Sequence, residues 1–155
     1  MGGDQVVPNY VRRVRIDRSV KVIPQRAFEN RRRLISVEFH EGIERVGEKA
    51  LFWCINLRGP IKLLGVKVIE MMAFYYCGLT DVEFGNKLET VGERSFKNCL
   101  SLTNITIPSV ETIECGAFCG CEQLTDLDLP EGLETIEEHA FSKCQRLGRI
   151  SIPLE

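Results

Sequence analysis

The chain has 155 residues, of which 44% are hydrophobic and 27% charged, and a formal net charge of −2. That length is one domain's worth, and the near balance of charge excludes a general binder of polyanions or polycations. No apolar run approaches the roughly 18 residues that a membrane-spanning helix needs. The opening Met1-Gly-Gly-Asp-Gln lacks the basic-then-apolar segment of a secretory signal, and Val6 stands where a myristoylation signal wants Ser or Thr.

After an N-terminal extension over residues 1–10, a single domain is expected over 11–155, because one pattern recurs through that whole stretch. It is anchored on Phe28, Leu51, Phe74, Phe96, Phe118 and Phe141, spaced 23, 23, 22, 22 and 23 residues apart. One residue before each anchor is a small one: Ala27, Ala50, Ala73, Ser95, Ala117 and Ala140. Five before is a β-branched one: Ile23, Val46, Ile69, Val91, Ile113 and Ile136. Three after come Arg31 and then Cys54, Cys77, Cys99, Cys121 and Cys144, followed by a leucine in every unit. An internal period in the twenties means a solenoid.

In chain order, alternating apolar pairs mark the predicted strands: Val37/Phe39, Ile61/Leu63, Val82/Phe84, Ile105/Ile107, Leu127/Leu129 and Ile150/Ile152. Alternation of period two reads as a short half-buried strand. A strand that returns every 22 or 23 residues must pair in parallel with its predecessor, the rest of the unit being the crossover. No unit can close a core alone, so the core runs through the stack. Alanine or serine fits where neighbouring turns approach, and Gly42, Gly47, Gly65, Gly85, Gly92 and Gly132 mark exits from the sheet.

The unit Leu102-x-x-Ile105-x-Ile107-Pro108, continued by Val110, Ile113, Ala117, Phe118 and Cys121, resembles the BspA-type leucine-rich repeat. The likeness runs from residue 11 to 153. The stretch Val14-Arg-Ile-Asp17 through Val22-Ile-Pro-Gln-Arg-Ala-Phe28 is most similar to the protist and algal members. The resemblance implies a leucine-rich-repeat solenoid of about six repeats, a right-handed coil of the α/β type. A parallel sheet of short strands would form one face, with turns and short 3-10 or β segments on the other. It also implies protein binding or adhesion, without catalysis and without a cofactor.

Departures from the pattern are informative. Gly59-Pro60 is inserted before the second repeat's strand, and a bulge in the sheet is expected there. Arg31, beside Arg32 and Arg33, fills the first cysteine slot, as suits a terminal unit facing water. No polar cap follows Ile152-Pro153, so that edge is expected either to be covered by a partner or to continue in a longer protein.

Charge is uneven: residues 1–45 carry ten basic and six acidic side chains, and 46–155 carry ten and sixteen. The arginines of the first part are not interleaved with aromatics, so no nucleic-acid partner is expected. Five of the seven cysteines belong to the repeat, where a thiol serves as a small buried hydrophobe and weak donor to a turn carbonyl. Their odd number and ladder arrangement suggest reduced thiols and a cytoplasmic or other intracellular location, with surface exposure if the chain is a segment. Cys115 and Cys119 lie outside the repeat slot and are expected to be exposed, and their spacing to Cys121 fits no zinc pattern. His40 and His139 fall too far apart to share a site, and no nucleotide, nucleophile-elbow or zincin motif occurs. No catalytic, metal or cofactor residue is therefore assigned.

Two surfaces remain as partner-binding candidates for a non-catalytic interaction scaffold. One is the outward side of the sheet, with Arg15, Glu38, Lys62, Glu83, Thr106 and Asp128 between the apolar pairs. The other comprises the two slots after the anchor, which hold Phe52/Trp53 and Tyr75/Tyr76 in consecutive units and predict a patch of four rings. The alternative is a structural subunit of a larger complex, or an adhesin, docking through its C-terminal edge.

Overall fold

The computed structural model describes residues 7–153. It is a stack of parallel turns with no helix among the described residues, and each turn has three walls. The first wall carries β1 (Arg13–Arg15), β3 (Ser36–Glu38), β5 (Pro60–Leu63), β7 (Asp81–Phe84), β9 (Asn104–Thr106), β11 (Asp126–Asp128) and β13 (Arg149–Ser151). The second carries the two-residue strands β2 (Val22–Ile23), β4 (Arg45–Val46), β6 (Val68–Ile69), β8 (Thr90–Val91), β10 (Thr112–Ile113) and β12 (Thr135–Ile136). The third is the turn that contains the Phe anchors.

The expected strands lie in the first wall, but that wall is not one sheet. It divides into β1-β3, β5-β7-β9 and β11-β13. The first division falls at the Gly59-Pro60 insertion: where Ser36 and Asn104 donate their N–H to the preceding turn, Pro60 has none to give. The outcome there is thus a break between β3 and β5 rather than a bulge. Continuity comes from the second wall, whose six strands pair in unbroken order and place Ile23, Val46, Ile69, Val91 and Ile113 in the core.

The turn wall is also a ladder. In each turn the anchor's N–H donates to the carbonyl of the small residue in the next turn: Phe28 to Ala50, Leu51 to Ala73, Phe74 to Ser95, Phe96 to Ala117 and Phe118 to Ala140, at 2.7–2.8 Å. The residues two before and two after the anchor donate forward in the same way, for example Lys49 to Met71 and Trp53 to Tyr75. To aim those groups, both positions take a left-handed backbone, as at Arg26, Asn30, Lys49 and Trp53. Turns this close leave room only for a small residue just before the anchor, as at Ala50, Ala73, Ser95 and Ala117; between the first and second walls, an added Cβ on Gly65 would overlap the carbonyl oxygen of Glu41.

Inside, Phe74, Phe96, Phe118 and Phe141 stack ring over ring, with centroids 5.1, 5.4 and 5.6 Å apart. Beside them runs a thiol ladder. Cys54, Cys77, Cys99, Cys121 and Cys144 each donate Sγ–H to the carbonyl of the anchor one turn back, at 3.0–3.1 Å. In the first described turn, Arg31 fills the equivalent slot and donates to the carbonyls of Val7 and Glu29. Burial pushes the Cys54 and Cys99 thiols up to about 12 and lifts Cys77 and Cys121 well above their ordinary value.

Two consequences are measurable. Ser95 is fully buried in the small-residue row and its hydroxyl has no partner. Ser95→Ala is expected to raise stability by about 1 kcal/mol, read as a higher urea midpoint at unchanged slope. The thiols also set an alkaline limit. Below pH 9.0 they are protonated folded or unfolded; above it the unfolded chain releases protons that the folded chain holds to about 12. Stability is therefore complete below about pH 9 and falls as pH rises past it, by up to about 1.4 kcal/mol per pH unit for each fully buried thiol. Urea titrations between about pH 8 and 10 should show this slope, and Cys99→Ala should reduce it.

Candidate functional site

The outward side chains of the first wall come together as the sequence register requires, but they satisfy one another. Arg15 pairs with Glu38 at 3.3 Å and Lys62 with Glu83 at 3.7 Å, each across adjacent strands. Asp128 accepts from Arg149 at 2.6 Å, and this guanidinium holds its carboxyl below the usual carboxylate range. Only Thr106 among these candidates has no charged neighbour to answer. Exposed pairs of this kind contribute little to stability, yet they neutralise the face that carries them. Between the unpaired edges of β9 and β11 lies an open cleft of about 360 Å³, lined by Asn104, Thr106, Pro108, Asp126, Asp128 and Arg149.

The turn wall is different. Phe52 stacks on Tyr75 with centroids 5.1 Å apart, and Trp53 on Tyr76 at 4.6 Å and 12° between planes. The four rings form one patch, since the Phe52–Trp53 and Tyr75–Tyr76 centroids are 6.3 and 6.0 Å apart. Cations close its edges: the Arg32 guanidinium sits 5.4 Å over the Trp53 ring and the Lys49 ammonium 5.7 Å over Phe52. Half-buried Met71 and Met72 adjoin the rings in the third turn, and Ile55 and Leu100 are exposed in the turns on either side of Gly78. The methionines and these two aliphatics extend the patch; the repeat register places them there, although the aromatic pairs alone signalled it in the sequence.

Backbone geometry singles out two of the rings. Trp53 and Tyr76 have φ of 60° and 61°, while the same slot in the other turns holds Asn30, Asn98, Gly120 and Lys143. Asn and Gly tolerate that region, whereas a bulky side chain there costs about 1–2 kcal/mol. At Trp53, stacking and the cation contact return about 0.5–1.5 and 0.5–1 kcal/mol, of the same order as the backbone cost.

The remaining reactive side chains are occupied by the architecture. His40 accepts the Gly42 N–H at Nδ1 and so presents Nε2–H to the Asp17 carbonyl, 2.9 Å away, tying the loops of the first two turns. His139 lies in the last turn, against the Ser142 hydroxyl. Glu70, Glu114 and Glu137 each accept a backbone N–H of the preceding turn, from Glu48, Glu93 and Cys115. The expectation of exposed thiols is corrected for Cys119, which is buried because the slot after the anchor packs between neighbouring turns, and Cys115 is half-buried. Among the described residues no cluster of metal ligands occurs, and no helix is long and apolar enough to cross a membrane.

A helix-free solenoid of parallel rungs, with thiol and Phe ladders under its turns, defines a repeat protein whose free chemistry is confined to its surface. The chain belongs to the BspA type leucine rich repeat region family, whose pattern matches residues 9–62 and 61–155 in six copies. Families of this class are protein-interaction or adhesion scaffolds and are generally non-catalytic. Among solved structures it is similar to the T. pallidum leucine rich repeat protein TpLRR, at 20% identity and a TM-score of 0.74, over 90% of this chain and 68% of that one. It is similar too to a leucine-rich repeat protein from Bacteroides ovatus, at 23% identity and a TM-score of 0.64, over 92% and 46% of the two chains. A leucine rich cell surface protein from Faecalibacterium prausnitzii matches at 21% identity and a TM-score of 0.60, over 92% and 54%. The chain thus spans about half the length of two of these proteins. No curated protein matches it by sequence.

If the half-buried rings are not structural, replacing one should be nearly neutral. Trp53→Asn is expected to change stability by less than about 1 kcal/mol, against about 3–5 for Phe96→Ala in the core, both measured by urea unfolding.

Proposed function

We propose that this protein is a non-catalytic interaction scaffold that binds a protein partner through the aromatic patch of its turn wall. The observation that carries this is the placement of stacked Trp53 and Tyr76 in left-handed backbone positions that the other turns fill with Asn, Gly or Lys. Trp and Tyr are the side chains most enriched among binding hot spots. The paired charges of Arg15, Glu38, Lys62, Glu83 and Asp128 support a secondary role for the sheet face: a partner there would first have to break existing pairs. Thr106 and the cleft beside it are that face's remaining feature. The partner acts on a folded domain spanning residues 11–155 with residues 1–10 preceding it; Val7 of that leading segment packs on the core.

A reducing compartment suits this reading, because five sulfurs donate hydrogens to carbonyls and a disulfide sulfur has none to donate. The second reading is a structural subunit or adhesin that docks by its C-terminal edge. It is favoured by the half-buried Phe141, Leu147 and Ile150 and the exposed Ile136 in the last turn.

Three variants separate these readings in a co-purification experiment. Trp53→Asn with Tyr76→Asn should lose the partner while keeping its circular dichroism and unfolding midpoint. Lys62→Ser with Glu83→Ser should retain it. Ile136→Lys should retain it as well; loss through Ile136→Lys alone would move the contact to the C-terminal edge.

A further inference from the structure

The partner's chemistry can be read from what the patch leaves open. Trp53 is the chain's single tryptophan, and both its faces are covered, by Tyr76 of the following turn and by Arg32 of the preceding one. A sugar ring or a nucleobase would need a bare aromatic face to stack on. Trp53 offers instead its ring edge, which carries the positive end of the aromatic quadrupole, and the tyrosines beside it offer hydroxyls.

Charge around the rings has one sign on one side. The row of outer turn residues running across four turns reads Asn30-Arg-Arg-Arg33, Trp53-Cys-Ile-Asn56, Tyr76-Cys-Gly78 and Asn98-Cys-Leu-Ser101, without a single carboxylate. Arg32 and Arg33 are exposed there, and Lys97 is half-buried beside Asn98. Among the described residues none of these three, nor Lys49, has a carboxylate within ion-pair distance. Of the acids on the opposite side, Glu29 and Glu70 are paired with Arg26 and Arg45, while Glu48, in the slot that Met71 fills one turn later, is in no ion pair among the described residues. Along the same row Ile55 and Leu100 are exposed, at 36% and 42%. These are two of the large exposed aliphatics among the described residues, so the row passes from a cationic first turn to apolar features in the turns after it, with Lys97 beside its far end.

We propose that the turn-wall patch takes an acidic protein segment that also carries apolar side chains, its carboxylates meeting Arg32, Arg33 and Lys97 and its apolar residues lying over Trp53, Tyr76, Ile55 and Leu100. This rests on the reading of the turn wall as the binding surface and adds the sign and character of the partner. A polyanion without apolar groups would gain the cations alone and lose the ring contacts. Such a ligand binds more weakly and with a steeper salt dependence.

The test uses the full chain and a displayed library of random peptides of about a dozen residues. Selected sequences are expected to be enriched in Asp and Glu interspersed with Leu, Phe or Ile. Synthesised singly, they should shift the fluorescence of Trp53. Arg32→Glu with Arg33→Glu should weaken them at least about tenfold, or 1.4 kcal/mol, with circular dichroism unchanged. Enrichment of basic or uncharged peptides that still perturb Trp53 would overturn the acidic partner while leaving the patch in place. Acidic peptides indifferent to Trp53→Asn would overturn the patch itself. Oligo-dT binding as tightly as the best peptide, or no peptide being selected at all, would also overturn the proposal.

Discussion

Everything in this molecule follows from how closely successive turns approach in the anchor-bearing wall. Three N–H groups per turn reach carbonyls of the next, at 2.7–3.0 Å. That spacing dictates the alanine row, the left-handed positions flanking each anchor and the glycines that pass under a neighbouring backbone. It also explains cysteine in five consecutive turns. The slot must be small, apolar and able to donate to a carbonyl that the backbone ladder leaves with a free lone pair, and a thiol meets all three requirements. Serine would fit the volume but would bring a hydroxyl whose desolvation is less easily offset, as the orphaned Ser95 one row away illustrates.

The first turn shows the same rule at a boundary. Here the cysteine slot is filled by Arg31, whose guanidinium ties the approaching chain at Val7 to the turn at Glu29. On the second wall the row after the strand alternates Gly47, Glu70, Gly92 and Glu114. A glutamate of one turn reaches back past the bare glycine of the turn before to accept the following N–H, as Glu70 does over Gly47 and Glu114 over Gly92. The glycines are required for backbone clearance, whereas the carboxylate contact is also made past a longer side chain, by Glu137 over Glu114.

The rung count, the parallel pairing, the core identity and the aromatic patch were all legible, because each is a property of one slot repeated at a fixed interval. What escaped were features that need three-dimensional register. Two-residue strands such as Thr90–Val91 are too short to show alternation, so the continuous sheet on the second wall is seen in the sequence only as a row of β-branched residues. Pro60 announced an irregularity, but whether the sheet bulges or parts there depends on the N–H it lacks. Nothing in the sequence marks the second division, between β9 and β11. Cys119 looked like an outlier with reason to be exposed; its slot, which holds large rings two and three turns earlier, folds a small side chain under its neighbours. The pairing of the sheet-face charges needed the register of Lys62 with Glu83 and of Asp128 with Arg149.

A solenoid turns any outward substitution into a ladder, and here that property converts four ring positions into a rigid surface. The backbone under Trp53 is pinned by its bond to Tyr75, and that under Tyr76 by its bond to Lys97. The rings are held by one another and by Arg32 and Lys49, so their rotamers are already restricted before any partner arrives. Binding by mobile side chains forfeits about 0.5–1.5 kcal/mol for each one immobilised. The stack avoids most of that loss for four large side chains at once. In the fold the stacking of a left-handed tryptophan about offsets its backbone cost, so what the ladder adds is a surface already ordered before recognition.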